Sequence, residues 1–372
     1  MPRKILPFLL LVSLLPLTPI HSQEPKPVTV AIARMTHDHI AFILDRLRRN
    51  SSDLKLVGIW EPDKVLVEKY SAKYKLDKTL FYDDLDKMLD KTHPESVLAF
   101  GSIHEHLGVV KACAPLGIHV MVEKPLAVNM DHARQMKDLA VKYKIHLLTD
   151  FETSWYPSST KSWQLVNDSS YVGNLRKVVL HDGHQGPKEI GCSKEFLSWL
   201  TDPVLNGGGA IIDFGCYGAN IMTWLKQGEL PVSVTAVTRQ YKPDVYPKVD
   251  DDATIILNYA NSECIIQASW NWPFGRKDME IYGNKGYIIA DNRNDMRLRN
   301  SSMKTEVKRT VTGKDVAVYE DPFSYFIDVV RGRLTPAPHE PYSLENNITV
   351  VKILDAGRES AKTGKTVYLK KE

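Results

Sequence analysis

Two hydrophobic patterns alternate along the first part of the chain. Unbroken apolar runs at Val28 to Ala33, Leu54 to Trp60, Ser96 to Phe100, Ile118 to Val122 and His146 to Thr149 read as buried strands. Between them apolar residues recur at helical spacing, as at Ile40, Ile43, Leu44 and Leu47. That spacing predicts helices over 40–49, 64–74, 85–89, 106–116 and 130–143, with one further short strand at Thr79 to Phe81. Strand and helix alternating over about 120 residues predict an α/β unit with a doubly wound parallel sheet.

Beyond Asp150 the pattern changes. Phe151 to Val166 is rich in aromatic residues, and after Gly173 strands dominate: Arg176–Leu180, Val232–Gln240, Ala253–Tyr259, Glu263–Trp270, Met279–Tyr282 and Tyr287–Ala290. Several alternate apolar and polar positions, as a sheet with one covered face would. Asn284-Lys285-Gly286 reads as a hairpin turn. Helices are expected from the glycines at 207–209 to Leu225, from Tyr325 to Val330 and from Ser343 to Ser360. The expected organisation is residues 27–150 as one domain and 151–372 as a second.

The N-terminus has its own pattern. Arg3 and Lys4 precede an apolar run from Ile5 to Leu17, followed by small and polar residues, which is the layout of a signal peptide over residues 1–22. The run is short for a membrane span and is interrupted by Pro7 and Pro16. Export to a periplasmic or extracellular location is expected, without stable membrane insertion after signal removal; an unused signal would leave the chain cytoplasmic. Composition adds little: 43% hydrophobic, 25% charged and a net charge of +3 describe an ordinary globular protein. The charges are mixed along the chain, so a nucleic-acid partner is not expected. Cys113, Cys192, Cys216 and Cys264 match neither a zinc pattern nor a dense disulfide framework. One or two disulfides stay open in an oxidising compartment, and no metal site is expected.

The candidate chemistry sits at strand ends. Glu123-Lys124-Pro125 follows a strand whose carboxyl end should open on the ligand crevice of the sheet. A lysine there can lose solvent and lower its pKa, which suits proton chemistry. The first turn, Ala33 to His39, lacks the dinucleotide fingerprint: Arg34, Thr36 and His39 stand where three glycines would be. Phosphate can still bind a helix N-terminus through backbone N–H groups, with Arg34 or His37 adding charge; the turn could equally bind no nucleotide. Glu61 ends the second strand, where an acid bonds ribose hydroxyls and repels a 2′-phosphate, favouring NAD over NADP. Asp213 and Tyr217 are four apart and should share a helical face, either gripping a hydroxylated substrate or simply packing. His181 and His184 are secondary candidates, or ordinary strand-end residues. Trp155, Tyr156, Trp199, Trp270 and Trp272 could stack on a sugar or belong to the core.

Taken together, Glu123-Lys124-Pro125 after Gly117-Ile118-His119-Val120, Gly207-Gly208-Gly209-Ala210 before Asp213 and Tyr217, and the closing stretch Leu344 to Gly364 carry a resemblance. From about Val28 to Leu369 the chain resembles the sugar and inositol dehydrogenases typified by glucose–fructose oxidoreductase, inositol 2-dehydrogenase and the rhizopine-catabolism protein. The resemblance implies an N-terminal Rossmann domain and a C-terminal α/β domain with a large, open, mostly antiparallel sheet often used to dimerise, hence a homo-oligomer. It implies that Lys124 bridges nicotinamide and the reacting hydroxyl, that Asp213 orients substrate or lysine, and that Tyr217 takes a position where many members have histidine. Arg34, Thr36, His37, Glu61, His104, Glu123 and Lys124 become the expected NAD-binding residues, with His104 matching a cofactor-side loop histidine. Trp155 and His184 are the expected substrate contacts. The expected function is oxidation or reduction at the CH–OH group of a sugar or polyol. Because an exported chain meets little free NAD, a retained cofactor, or a glycoside hydrolase working by transient oxidation, is the alternative. The missing glycines leave a non-catalytic sugar-binding protein as a further one.

Overall fold

The computed structural model describes residues 26–49 and 52–370; the expected signal peptide over residues 1–22 lies outside them. The apolar runs form β1 (Val28–Ala33), β2 (Leu54–Trp60), β3 (Phe81–Tyr82), β4 (Ser96–Ala99), β5 (His119–Glu123) and β6 (Leu147–Asp150). Their sheet is wholly parallel, in the order β3-β2-β1-β4-β5-β6. The crossovers are α1 (Ile40–Arg48), α2 (Lys64–Tyr74), α3 (Leu85–Thr92), α4 (His106–Cys113) and α5 (Met130–Tyr143). Asp63, Asp84 and Asn129 cap α2, α3 and α5 by accepting backbone N–H bonds at 2.8–2.9 Å. The order reverses between β1 and β4, so the crevice opens at their carboxyl ends. That edge gathers the turn at Arg34, the loop at Ser102 and the end of β5 at Lys124. The strand expected at Thr79 is instead a 3₁₀ turn, Lys78–Leu80, which leaves only the two-residue β3.

The second domain holds α6 (Pro157–Asn167), β7 (Leu175–Gly183), α7 (Lys194–Leu200), α8 (Ala210–Asp213), α9 (Gly215–Leu225), β8 (Ser233–Arg239), β9 (Asp252–Asn258) and β10 (Glu263–Ser269). It continues with β11 (Arg276–Gly283), β12 (Gly286–Ala290), β13 (Asp295–Asn300), β14 (Val307–Thr310), α10 (Pro322–Val330), α11 (Leu344–Thr363) and β15 (Val367–Tyr368). Among the described residues the sheet order is β14-β13-β12-β11-β7-β10-β9-β8-β15, antiparallel except for the pair β7–β10. One face of this sheet is buried under α9 and α11, around Ile255, Ile266, Ile281 and Leu354. β13, β14 and β15 were not among the expected strands. β14 is exposed at all four positions, so no buried face imposes a pattern on it.

The helix expected to run unbroken through Asp213 and Tyr217 is divided at Phe214. The cause is local: the Asp213 carbonyl accepts bonds from Lys124 Nζ (3.1 Å) and Cys216 Sγ (3.2 Å). The Tyr217 N–H turns instead to the Phe214 carbonyl at 3.1 Å. The chain then returns to the first domain late: Phe323, Tyr325, Phe326, Ile327 and Val329 pack in one core with Val30, Ile32, Ile40 and Leu44.

Candidate functional site

Lys124 ends β5 and is nearly enclosed, with 6% of its surface exposed. Its ammonium donates to Asp213 Oδ1 at 2.5 Å and to the Asp213 carbonyl at 3.1 Å. The other carboxylate oxygen, Oδ2, accepts from Trp270 Nε1 at 2.9 Å. The Asp213 carboxylate is therefore clamped from both sides. Burial alone would lower the Lys124 pKa, but the adjoining carboxylate outweighs it and holds the ammonium above its ordinary range. Lys124 is thus a fixed cation, and the expectation of a lowered pKa is corrected. Burial works against Asp213 too, yet Lys124 keeps the carboxylate ionised below its usual range.

Tyr217 lies under this pair. Lys124 Nζ stands 5.1 Å from its ring centre and Lys277 Nζ 4.8 Å. Burial, seconded by the Glu152 charge, pushes the phenol well above its ordinary value. Tyr217 keeps its proton here, and Lys124 does not make it a phenolate. Phe214 stacks beside it at 6.0 Å and borders a cavity of about 440 Å³ lined also by His184, Tyr156, Arg276, Lys277 and Arg293. His184 Nδ1 accepts the Gly186 N–H at 3.0 Å, so the neutral ring carries its proton on Nε2. Burial keeps that ring below its ordinary pKa.

Asp182 is a neighbour that no sequence motif marks. It is 3% exposed, and its Oδ2 has no hydrogen-bond partner. Burial raises its pKa from the ordinary 3.8 to about 8. The folded chain therefore binds a proton that the unfolded chain releases. The resulting stabilisation is complete below the unfolded value and is lost as pH rises through about 8. Asp182→Asn should be near neutral at about pH 3 and stabilising at about pH 9. Melting temperatures of both proteins at the two pH values check this; an equal difference at both would refute it.

The first turn is built differently from a glycine-rich loop. Arg34 takes φ +69°, the left-handed conformation that glycine ordinarily supplies. Its guanidinium donates to Glu61 Oε1 at 2.6 Å and lies 2.9 Å from Glu105. Glu61 also accepts from the N–H groups of Met35 (2.8 Å) and Asp63 (3.0 Å). The Thr36 and His37 N–H groups both donate to the Phe100 carbonyl, at 3.1 and 2.9 Å. His37 and His39 turn inward to Glu123, with His39 Nδ1 at 3.1 Å and His37 Nε2 at 3.8 Å from its two oxygens.

A strap from the second domain crosses this turn. Ser193 N donates to Asp38 Oδ2 (2.9 Å), Trp199 Nε1 to the Thr36 carbonyl (3.4 Å) and His104 N to the Leu205 carbonyl (3.0 Å). The structure thus brings Arg34, Thr36, His37, Glu61, Glu123, Lys124, Asp213 and Tyr217 to one edge, with His184 on the cavity. His104 has an exposed side chain that lies against His132, 5.0 Å between ring centres. Trp155 is buried elsewhere, stacked on Tyr342 at 5.2 Å and bonded to Asp150.

Residues 22–151 match the family model "Oxidoreductase family, NAD-binding Rossmann fold", and residues 164–289 match "GFO/IDH/MocA C-terminal domain". The two matches together take in well over half of the chain. The chain belongs to the Gfo/Idh/MocA oxidoreductase family.

Among its relatives is a trans-1,2-dihydrobenzene-1,2-diol dehydrogenase of Xenopus laevis, 29% identical over 241 residues, which are 63% of this chain and 67% of that protein. The rhizopine catabolism protein MocA of Rhizobium meliloti is 27% identical over 214 residues, 56% of this chain and 63% of that one. The fold matches an aldose-aldose oxidoreductase from Caulobacter crescentus with a TM-score of 0.76 at 21% identity, covering 92% of this chain and all of that one. An inositol dehydrogenase homologue from Azotobacter vinelandii, complexed with NAD+, also gives 0.76, at 14% identity and 92% and 98% coverage.

The N-terminal domain of this Gfo/Idh/MocA protein is an NAD-binding Rossmann domain. Its residues fit the two ends of the dinucleotide. Lys124 would lie at the nicotinamide end, and Glu61, at the end of β2, would meet the ribose hydroxyls, although three donors on its carboxylate leave about one of roughly four acceptor sites free. The middle fits less directly, since the amides of Met35, Thr36 and His37 are already bonded inside the protein.

Proposed function

We propose that this Gfo/Idh/MocA oxidoreductase acts on the CH–OH group of a sugar, polyol or cyclic diol, using NAD. One observation carries the reading: a charged lysine pinned at 2.5 Å to a buried carboxylate, beside a protonated tyrosine, packed against Phe214 and Lys277, which line a cavity of about 440 Å³. When bound, NAD supplies the hydride acceptor or donor. Everything else falls to the chain. Lys124 places a fixed positive charge where an alkoxide develops, which lowers the cost of removing the hydroxyl proton. Asp213 keeps the ammonium charged and aimed, and Trp270 keeps Asp213 from turning. Lys124 stays charged and Asp213 ionised throughout; the hydroxyl proton of an oxidised substrate leaves to solvent, and in the reduction direction Tyr217 gives its proton to the alkoxide and regains one from solvent. The names of the diol dehydrogenase relatives support a substrate carrying vicinal hydroxyls.

The test is direct. Nucleotide released on denaturing the purified protein is identified, and NAD reduction is followed with a panel of polyols and cyclic diols. Absence of nucleotide, of NAD binding and of turnover would sink the reading. Tyr217→Phe keeps the ring and its packing, so NAD binding should survive while turnover falls roughly 10²-fold. Unchanged turnover would return Tyr217 to a packing role.

A second reading has an observation behind it. The strap over the first turn, from Ser193 to Leu205, would hold a bound dinucleotide in place. That favours a redox-neutral cycle with retained cofactor, either between two sugars or on a glycoside, and it suits an exported chain. Release of an aglycone, or sugar-to-sugar exchange, without net NADH distinguishes it.

A further inference from the structure

We infer that His37, His39 and Glu123 form a binding site for a divalent transition-metal ion at the first turn. The three come from two elements, the turn before α1 and the end of β5, and each offers a ligand atom within 4.8 Å of the others. His39 Nδ1 is 3.1 Å from one carboxylate oxygen and His37 Nε2 3.8 Å from the other. An ion bonded tetrahedrally at about 2.0–2.1 Å holds its ligand atoms roughly 3.3 Å apart. The two histidine–carboxylate spacings lie on either side of that value, and the ligand atoms, all within 4.8 Å of one another, must close by up to about 1.5 Å around an ion.

A second observation points the same way. Glu123 is 2% exposed, and its Oε2 has no hydrogen-bond partner. A buried carboxylate oxygen left bare costs free energy that a cation would return. Two imidazoles and one carboxylate favour zinc, iron, cobalt or nickel over calcium or magnesium, and leave coordination positions open.

Loading requires two local changes. His37 Nδ1 accepts the His39 N–H at 3.1 Å, so the free ring carries its proton on Nε2. That proton moves to Nδ1 as the amide contact opens, which frees Nε2 for the ion. The proton shared by His39 and Glu123 is released to solvent.

The position gives the ion a task, and this clause rests on the NAD reading above. The backbone amides that would cradle the phosphates of a dinucleotide are spent from Met35 to His37, and the glycines are absent. A cation at the same helix start supplies the missing positive charge.

The experiment uses tag-free, chelator-treated full-length protein titrated with Zn²⁺ by calorimetry, and with Co²⁺ by its visible absorption. The comparison variants are His39→Gln and Glu123→Gln, with folding checked by circular dichroism. One saturating equivalent is expected in the wild type, with affinity lowered about 100-fold or more in both variants. Both variants leave the surface pair His104–His132 intact, which controls for casual binding there. Equal Zn²⁺ binding by wild type and His39→Gln, or none by either, would overturn the site. NAD titration of the metal-free and Zn²⁺-loaded forms then separates the two readings. Tighter NAD binding with Zn²⁺ supports the phosphate role, and equal affinity overturns it. No NAD binding in either form overturns the cofactor reading while a confirmed Zn²⁺ site stands.

Discussion

Lys124→Met is expected to lower turnover by roughly 10²–10³-fold, the range for a group that stabilises charge in the transition state. The substitution keeps most of the side-chain volume, so the crevice should not collapse. It also strands Asp213 as a buried carboxylate bonded only through Trp270 and the contacts of its own turn. Removing one partner of a buried ion pair costs about 3–5 kcal/mol. Stability and turnover would then fall together, and the single variant could not tell chemistry from unfolding. The double variant Lys124→Met/Asp213→Leu removes both charges and should regain most of the stability, since apolar replacement of a whole buried pair is often neutral. Turnover should not return. The measurements are chemical denaturation and steady-state turnover of wild type, both single variants and the double. Near-normal turnover by a folded Lys124→Met protein would remove the lysine from the mechanism.

Gly209→Ala should be the most damaging small substitution near the site. A Cβ there would lie 1.8 Å from the Asp250 carbonyl oxygen, a backbone atom with no side-chain freedom to yield. Asp250 approaches so closely because it caps α8. Its carboxylate accepts from the N–H groups of Gly209 (2.9 Å) and Ile211 (2.7 Å), and its carbonyl accepts from Ala210 (3.0 Å). α8 is only four residues long and ends at Asp213, so this cap sets where the carboxylate meets Lys124. A loss of roughly 4 kcal/mol or more is expected, with turnover lost in any folded fraction. Gly108→Ala is the control: an added methyl meets nothing within 4 Å in α4, and the change should be neutral or slightly stabilising. Equal stability of the two variants would mean that the approach of Asp250 is not what holds α8.

The parallel sheet was legible because its strands are buried on both faces and read as plain apolar runs bounded by polar turns. Lys124 and Asp213 were legible because each sits beside local punctuation, Pro125 and three glycines. The groups that hold them were not. Trp270 is 57 residues from Asp213, Asp250 is 41 from Gly209, and Glu123 is 84 from His39. No local period links such pairs; only the fold does. The first turn was read as deficient because glycines were missing, yet Arg34 adopts the glycine conformation and ties itself to Glu61. The direction of the Lys124 shift was misjudged for a similar reason. Burial could be foreseen at the strand end, but the distance to Asp213 could not.

The late return of α10 bears on how the protein comes into being. Phe323, Tyr325, Phe326, Ile327 and Val329 complete a core that begins with Val28, and Arg331 is paired with Glu95. A nascent chain that has reached Asp150 holds every strand of its first sheet but lacks the helix that seals one side. At about 5–20 residues per second, synthesis of the remaining stretch to Val330 takes roughly 10–40 s. Through that interval the apolar face around Ile40 and Leu44 stays bare, and a chaperone would find it open. The boundary at residue 150 divides the polypeptide, but the first core closes only after the chain has been made as far as Val330.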